Sequence, residues 1–333
     1  MVIIKKSRWP KELRLLINKD CNYSCSFPKT CVRWCHQDGV HFFNKRDTEA
    51  TVEDFLFLAE TLETPLKIEK VKIAGMEPLL FPKVDKLIKN LKDAGFPEVS
   101  LTTNGFFLEE RAEELKSAGL DTLTVSLHAF NRKTYKEITT VDGFKKVISG
   151  IEKAIAVGIK KVKANRVLIN FDDAWNDLQK FLRWAAKNKI TVKLYRLIWS
   201  KEEEEKLFFQ NYFSWHSLLA FLAKRGKLRM IKKYSASGRE RLFWTLKNGL
   251  EIETDIFSHK LQEGIPVLCR RCRFAAVCQE GIVSYGLEVN SELIISACLL
   301  REELSLDVWD LVKKRDAKKL IKEVKIFLSK FGS

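Results

Sequence analysis

Apolar positions along the chain follow two alternating periods. Short β-branched or leucine-rich runs recur at Leu13–Ile17, Val71–Ala74, Val99–Thr102, Thr122–Leu127, Val162–Ile169 and Thr191–Ile198. Each is strand-length and ends in polar or glycine-containing punctuation. Between them lie stretches with helical spacing at Thr51–Leu62, Phe81–Ala94, Leu108–Ala118, Val141–Val157 and Trp175–Lys187. Thr51 is placed to cap the first of these, with acids in its first turn. Six strand–helix units thus fit residues 13–200, and strands alternating with long helices predict a parallel sheet with right-handed crossovers. The fold class is α/β, as a partial (β/α)6 TIM-type barrel.

From Lys201 the pattern changes. Phe208–Lys224 reads as a helix rich in aromatics, Arg239–Ile256 as a hairpin-like β segment, and Leu287–Val289 and Leu293–Ser296 as further β runs. Leu306–Leu328 is an amphipathic helix placed to close the chain over the barrel. The organisation expected is a barrel over 1–205, a connecting helix and β segment over 206–262, and a closing segment over 263–333.

In parallel α/β folds, reactive groups gather where strands end. Polar punctuation sits at those places here. The first strand runs into a loop holding Cys21, Cys25, Cys31 and Cys35, and the second ends at Gly75-Met76-Glu77-Pro78. The third ends at Thr103-Asn104-Gly105, the fourth at Ser126 and His128, and the fifth carries Lys163 and Asn165. Each alone has a dull explanation as a turn or a satisfied core residue. Five polar loops on one rim describe an active-site face.

The cysteines sharpen the chemistry. All eight fall in two groups, four before residue 36 and four after residue 268. The start, MVIIKKSRWPKELR, lacks a signal-peptide core, and no run of 18 apolar residues exists, so a cytoplasmic protein with no membrane partner is expected. In a reducing compartment the two groups point to metal sites rather than disulfides. Thiolates select zinc or iron–sulfur clusters. In the first loop the spacings of three, five and three residues depart from the paired Cys-x2-4-Cys usual for zinc and favour iron–sulfur. In the second, Cys269, Cys272, Cys278 and Cys298 make a four-thiolate set for which zinc remains the rival. The net charge of +16 would suit a nucleic-acid partner. Lysines spread from end to end, with acids nearby, favour a solvated surface instead.

Together these motifs resemble the radical S-adenosylmethionine (SAM) enzymes, and most closely the GTP 3′,8-cyclases among them, over most of the chain. The resemblance rests on Cys21, Cys25 and Trp34-Cys35-His36, with an insertion within Ser26–Arg33, and on AGMEPLLF, SLTTNGF, VSLHAF and VKANRVLI in order. It implies a 4Fe–4S cluster held by Cys21, Cys25 and Cys35, with Cys31 as an extra thiol, and SAM on the open iron. It further implies SAM contacts from Trp34, Gly75, Met76, Glu77, Pro78, Ser126 and Ile198. Substrate contacts would come from Arg14, Lys72, Thr102, Thr103, Lys163 and Asn165. A second 4Fe–4S cluster would sit on Cys269, Cys272, Cys278 and Cys298, and a ferredoxin- or flavodoxin-like reductant would be the partner, with RNA left open as a substrate.

Two departures matter, one for the approach to SAM and one for substrate. The second glycine of the usual GGEP motif is Met76 here, and the two arginines expected near residues 286 and 288 are Gly286 and Glu288. Losing those arginines and gaining an acid argues against a triphosphate. Cys278 makes the second cysteine set look like the twitch and SPASM auxiliary segments of peptide-modifying radical enzymes. An unidentified peptide or small-molecule substrate is therefore expected ahead of GTP.

Overall fold

The computed structural model describes residues 2–5, 11–25, 46–197, 209–234, 239–257, 272, 286–298, 301 and 303–331. Six parallel strands form its centre: β2 (Glu12–Leu16), β3 (Lys70–Ala74), β4 (Glu98–Thr103), β5 (Thr122–Ser126), β6 (Lys161–Leu168) and β7 (Thr191–Arg196). They lie side by side in chain order, as the strand–helix alternation predicts.

The sheet continues at both sides. β10 (Glu251–Phe257) pairs parallel with β7 and antiparallel with β9 (Arg239–Leu246), which pairs with β8 (Gly226–Tyr234), and β1 (Val2–Lys5) forms that edge. On the other side β11 (Leu287–Val289) pairs parallel with β2, followed by β12 (Ile294–Ser296) and β13 (Ser305–Asp307). One sheet therefore runs through all three stretches expected from sequence.

Helices α1 (Val52–Leu66), α2 (Val84–Asp93), α3 (Leu108–Ser117), α4 (Arg132–Thr139), α5 (Phe144–Ala156) and α6 (Ala174–Lys187) cover the crossovers, with α7 (Trp215–Arg225), α8 (Trp309–Lys313) and α9 (Ala317–Ser329) after the barrel. Thr51 caps α1 in a reciprocal box with Asp54, as its sequence predicts. The buried Asp54 carboxylate also takes Lys313 and Arg315, so the closing helices are pinned onto α1.

Strand pleat decides what faces where. Leu13, Leu15, Val71, Ile73, Val99, Leu101, Leu123 and Val125 are fully buried in one continuous core with the helices. The intervening residues make polar rows on the opposite face. Arg14 lies opposite Lys72, then Ser100, Thr122 and Lys161, while Thr102 lies opposite Thr124, Lys163 and Thr191. Ser126, Asn165, Lys193 and Glu253 form the row nearest the strand ends. Packing against the helices stabilises the outer face, and the inner face is left polar.

Several elements differ from the sequence reading; β1, α4 and β13 stand where none of that kind was expected. The closing helix is broken at Lys314–Asp316, where Arg315 takes a left-handed φ of 55°. The helix expected over Phe208–Lys224 is interrupted: residues 209–211 are helical, Tyr212 bridges to Ile169, and a new helix capped by Ser214 through Ser217 N starts at Trp215. β8 likewise adds a strand where no β segment was expected.

Candidate functional site

The loops leaving β2, β3 and β4 are fastened to one another around two residues. Asn18, buried just past β2, donates from Nδ2 to the carbonyls of Glu77 (2.8 Å) and Asp20 (3.2 Å). Glu77 N in turn donates to the Asp20 carbonyl at 2.8 Å. The Glu77 carboxylate is buried and accepts from Leu79 N (3.0 Å), Thr103 Oγ1 (2.6 Å) and Asn104 N (2.7 Å). Burial pushes its pKa up to about 7, against the pull of these three donors.

Gly75 explains why the loop can pass so close. Its φ is +141°, and a Cβ there would lie 2.5 Å from Asn18 Oδ1 and 3.2 Å from Ile17 N. Met76, the departure from a second glycine, is accommodated beside it without a positive φ. Pro78 opens a short 3-10 turn, Pro78–Leu80, whose cap is the Glu77 side chain.

The cysteine loop joins this network. Asn104 Nδ2 donates to Asn22 Oδ1 at 2.8 Å and approaches Cys21 Sγ at 3.9 Å, while Tyr23 N points at the same sulfur at 3.4 Å. Cys21 and Cys25 are half-buried. Between them Tyr23 is buried, its hydroxyl 2.8 Å from that of Tyr135 on α4, and burial pushes both phenols up.

Below the rim, the inner face is charged and largely self-paired. Lys163 donates to Glu253 Oε1 at 2.7 Å, and Arg241 reaches Glu253 (3.6 Å) and Asp255 (3.2 Å). Burial alone would raise Glu253, but Arg241, Lys163 and Lys193 outweigh it and hold the carboxyl at about 2. Arg14 Nε lies 2.7 Å from Glu12, Lys70 lies 2.7 Å from Glu98, and Glu288 on β11 stands opposite Arg14. Lys72 has no ion pair among the described residues; burial and the neighbouring Arg14 lower it to about 7.

Of the residues singled out from sequence, Cys21, Cys25, Gly75, Met76, Glu77, Pro78 and Thr103 come together at the ends of β2–β4. Thr103 spends its hydroxyl on Glu77 and Gly105 N, whereas Thr102 faces the inner row with a buried Oγ1 lacking a partner. Ser126, Lys163 and Asn165 lie across the same opening, and Arg14 and Lys72 lie deeper. Trp34, Cys35, Ile198, Cys269 and Cys278, with Cys31, fall outside the described residues. Sequence reasoning missed Asn18, Tyr23 with Tyr135, and Glu253. Asn18 had a signal in its place directly before the cysteine loop, and Glu253 in the alternating acids of Glu251, Glu253 and Asp255.

The pattern of residues 16–185 matches the radical SAM superfamily domain, which covers half of the chain. The chain belongs to the radical SAM superfamily. It is 30% identical to a protein named probable GTP 3′,8-cyclase from Saccharolobus solfataricus, across 91% of this chain and 87% of that protein. A protein of the same name from Thermococcus kodakarensis is 32% identical across 85% of this chain and 86% of its own length. The fold is similar to the crystal structure of Streptococcus suis SuiB bound to S-adenosylmethionine, with a TM-score of 0.57 at 16% identity, spanning 87% of this chain and 60% of that one.

Membership of the radical SAM superfamily implies a 4Fe–4S cluster and SAM, and the residues present fit them. Two thiols of a sulfur donor set lie on one loop. Next to them, Asn18 Oδ1 is a buried acceptor with no partner, and Gly75 leaves a cradle that any Cβ would fill. Among the described residues no three His, Cys, Asp or Glu side chains converge as a metal site; Cys35, Cys269 and Cys278 lie outside them.

The later segment is tied to the first loop. Lys19 pairs with the fully buried Glu292 at 2.6 Å, and Ala50 N donates to the Ser291 carbonyl at 2.7 Å. Cys298, buried after β12, and Cys272 both act electrostatically on Arg301, whose pKa is raised mainly by its bond to Glu303. No helix among the described residues is long and apolar enough to cross a membrane.

Proposed function

We propose that this radical SAM enzyme modifies a polar peptide or small molecule bearing carboxylate or amide groups, rather than GTP. One observation carries the reading: Lys163, on the inner face, is bound at 2.7 Å to Glu253, a carboxylate only 6% exposed. Arg241 and Arg14 are likewise paired with acids of the inner face. A nucleoside triphosphate brings about four negative charges, and burying them requires unpaired cations. The inner face has already neutralised most of its own. Substrates with balanced charge or single carboxylates fit such a surface better, with Lys72 left to engage them.

In this reading Cys21, Cys25 and Cys35 hold the cluster, with Trp34 at its side. Gly75, Met76 and Pro78 shape the loop that receives SAM, Glu77 fixes that loop to β4, and Ser126 and Ile198 border the site from the far strands. A reduced cluster with SAM bound there would supply reductive cleavage of SAM and, through it, hydrogen-atom abstraction from the substrate. Glu77 keeps the rim closed by holding Thr103 and Asn104, and the orphaned Asn18 Oδ1 offers an acceptor to an ammonium group. Arg14, Thr102, Lys163 and Asn165 orient the substrate beneath. Cys269, Cys272, Cys278 and Cys298 hold an auxiliary 4Fe–4S cluster whose four thiolates suit it to accept an electron.

GTP 3′,8-cyclisation is the rival reading, supported by the names of the curated relatives. The reduced enzyme is to be incubated with SAM, with and without GTP, and the nucleotides analysed by mass spectrometry. The proposal expects unchanged 5′-deoxyadenosine formation and unmodified GTP. A cyclised nucleotide formed over many turnovers would overturn it.

A further inference from the structure

The turn between α4 and α5 rests directly on the cysteine loop. At Gly143 a Cβ would meet Tyr23 Oη at 2.8 Å and the Phe106 ring at 2.9 Å, so only glycine allows this approach. Phe106 stands edge-on to Tyr23 at 6.0 Å, and Lys146 Nζ lies 4.5 Å from the centre of the Phe106 ring. Tyr23 itself is two residues from each of Cys21 and Cys25. A surface feature at this turn is therefore one side chain removed from the thiols.

That surface is basic. Arg132, Lys133, Lys136, Lys145 and Lys146 are all exposed on α4 and the start of α5. The acids among them are Glu137 and Asp142, and Asp142 is engaged by Arg132 at 2.6 Å, with Lys136 and Lys145 close enough to act on it too. Lys145 and Lys146 also occupy the first turn of α5, which holds no acid. Cations there oppose the helix dipole, so the placement costs the helix a little stability. The Phe106 ring beside Lys146 and Asp142 near Lys145 offset part of that cost and leave a net basic, exposed face.

We propose that this basic face is the docking surface for the enzyme's one-electron donor, a small acidic protein carrying a flavin or an iron–sulfur centre. The inference rests on the superfamily assignment and its cluster, and is independent of the substrate proposed above. One electron passes from the reduced donor to the oxidised 4Fe–4S cluster; the donor is oxidised by one electron, the cluster is reduced by one, and no bond forms or breaks. Charge complementarity steers the encounter. The Phe106–Tyr23 contact places the arriving donor against the ligand loop.

The test compares two triple variants of the cluster-loaded protein with equal changes in net charge. One carries Lys136→Glu, Lys145→Glu and Lys146→Glu; the other carries Lys318→Glu, Lys319→Glu and Lys322→Glu, on the exposed face of α9. Glutamates in the first turn of α5 favour that helix, so the first variant keeps its fold. Binding of an oxidised acidic flavodoxin is read by fluorescence titration, and reduction of the cluster by the reduced flavodoxin is read by stopped-flow bleaching. At low salt the α4–α5 variant should bind more weakly and be reduced about tenfold or more slowly, while the α9 variant stays within about twofold of wild type. High salt should bring wild type towards the α4–α5 variant. Reduction by dithionite should be equal in all three, and its absence from wild type would count against the cluster rather than against the docking face. Equal losses in both triples, or a loss in neither, would overturn the proposal. So would an α4–α5 triple that releases RNA yet keeps flavodoxin binding.

Discussion

Replacing Gly75 by alanine probes the joint between the β2 and β3 loops, and Gly95 supplies its control. Both residues have positive φ, +141° and +90°, but a Cβ at Gly95 meets nothing within 4 Å. Gly95→Ala therefore reports backbone strain alone, about 1–2 kcal/mol. Gly75→Ala adds a Cβ 2.5 Å from Asn18 Oδ1, on a side chain held by two hydrogen bonds of 2.8 and 3.2 Å. Relieving that contact means displacing Asn18 and weakening both bonds, each worth about 1 kcal/mol. The expected total is about 3–4 kcal/mol for Gly75→Ala, roughly 2 kcal/mol more than for the control. Urea unfolding of the two variants measures the difference. Equilibrium dialysis with labelled SAM should show affinity reduced at least about tenfold in Gly75→Ala, which is 1.4 kcal/mol, and unchanged in Gly95→Ala. If the two variants lost the same stability, or if Gly75→Ala bound SAM like wild type, the fastening of the loop by Asn18 would be refuted.

Other outcomes follow from the same geometry. Glu77 has its folded pKa raised to about 7, so the folded state takes up a proton as pH falls from 7 towards 4.5 and gains stability there, which it loses again as pH rises through 7. Urea midpoints should therefore show Glu77→Gln more destabilised relative to wild type at pH 5 than at pH 8, by a few kcal/mol at order of magnitude. Glu253 is depressed to about 2, so its stabilisation is present above the ordinary carboxylate range and lost as pH falls through that value. Glu253→Gln leaves Lys163 and Arg241 underpaired, and should cost about 3 kcal/mol at pH 7 by the same unfolding assay. Cys31→Ala should retain SAM cleavage under dithionite and Cys35→Ala should abolish it; the reverse would place the third ligand at Cys31. Iron and sulfide analysis of anaerobically purified protein should give roughly eight of each per chain, where stoichiometric zinc would contradict both clusters.

The barrel was legible because two periods are hard to mistake over long stretches. Leu13, Val71, Val99 and Leu123 announce strands, and the polar loops after them announced the rim. Thr51 and Asp54 even fixed the start of α1. What escaped was set by tertiary contact. In α4 the buried positions are Tyr135, Ile138 and Thr139, too few apolar residues for a periodic signal. In β8 the basic residues Lys227, Arg229, Lys232 and Lys233 masked the strand pattern, because its partners lie in β9 and β1. Lys163 could be picked out from sequence, but not its neutralisation: Glu253 lies 90 residues later and meets it only across β7. Asn18 reads as an ordinary polar residue after a strand until the β3 loop is laid against it.

The central claim, that the β2–β4 rim of this chain supports reductive cleavage of SAM, is tested most directly by 5′-deoxyadenosine formation. Protein reconstituted with iron and sulfide is reduced with dithionite, given SAM, and assayed by chromatography and mass spectrometry beside Cys25→Ala. Slow formation of 5′-deoxyadenosine by wild type and none by Cys25→Ala is the predicted result. A wild-type protein with its full iron content that forms none, or a Cys25→Ala protein that forms as much, would contradict the account.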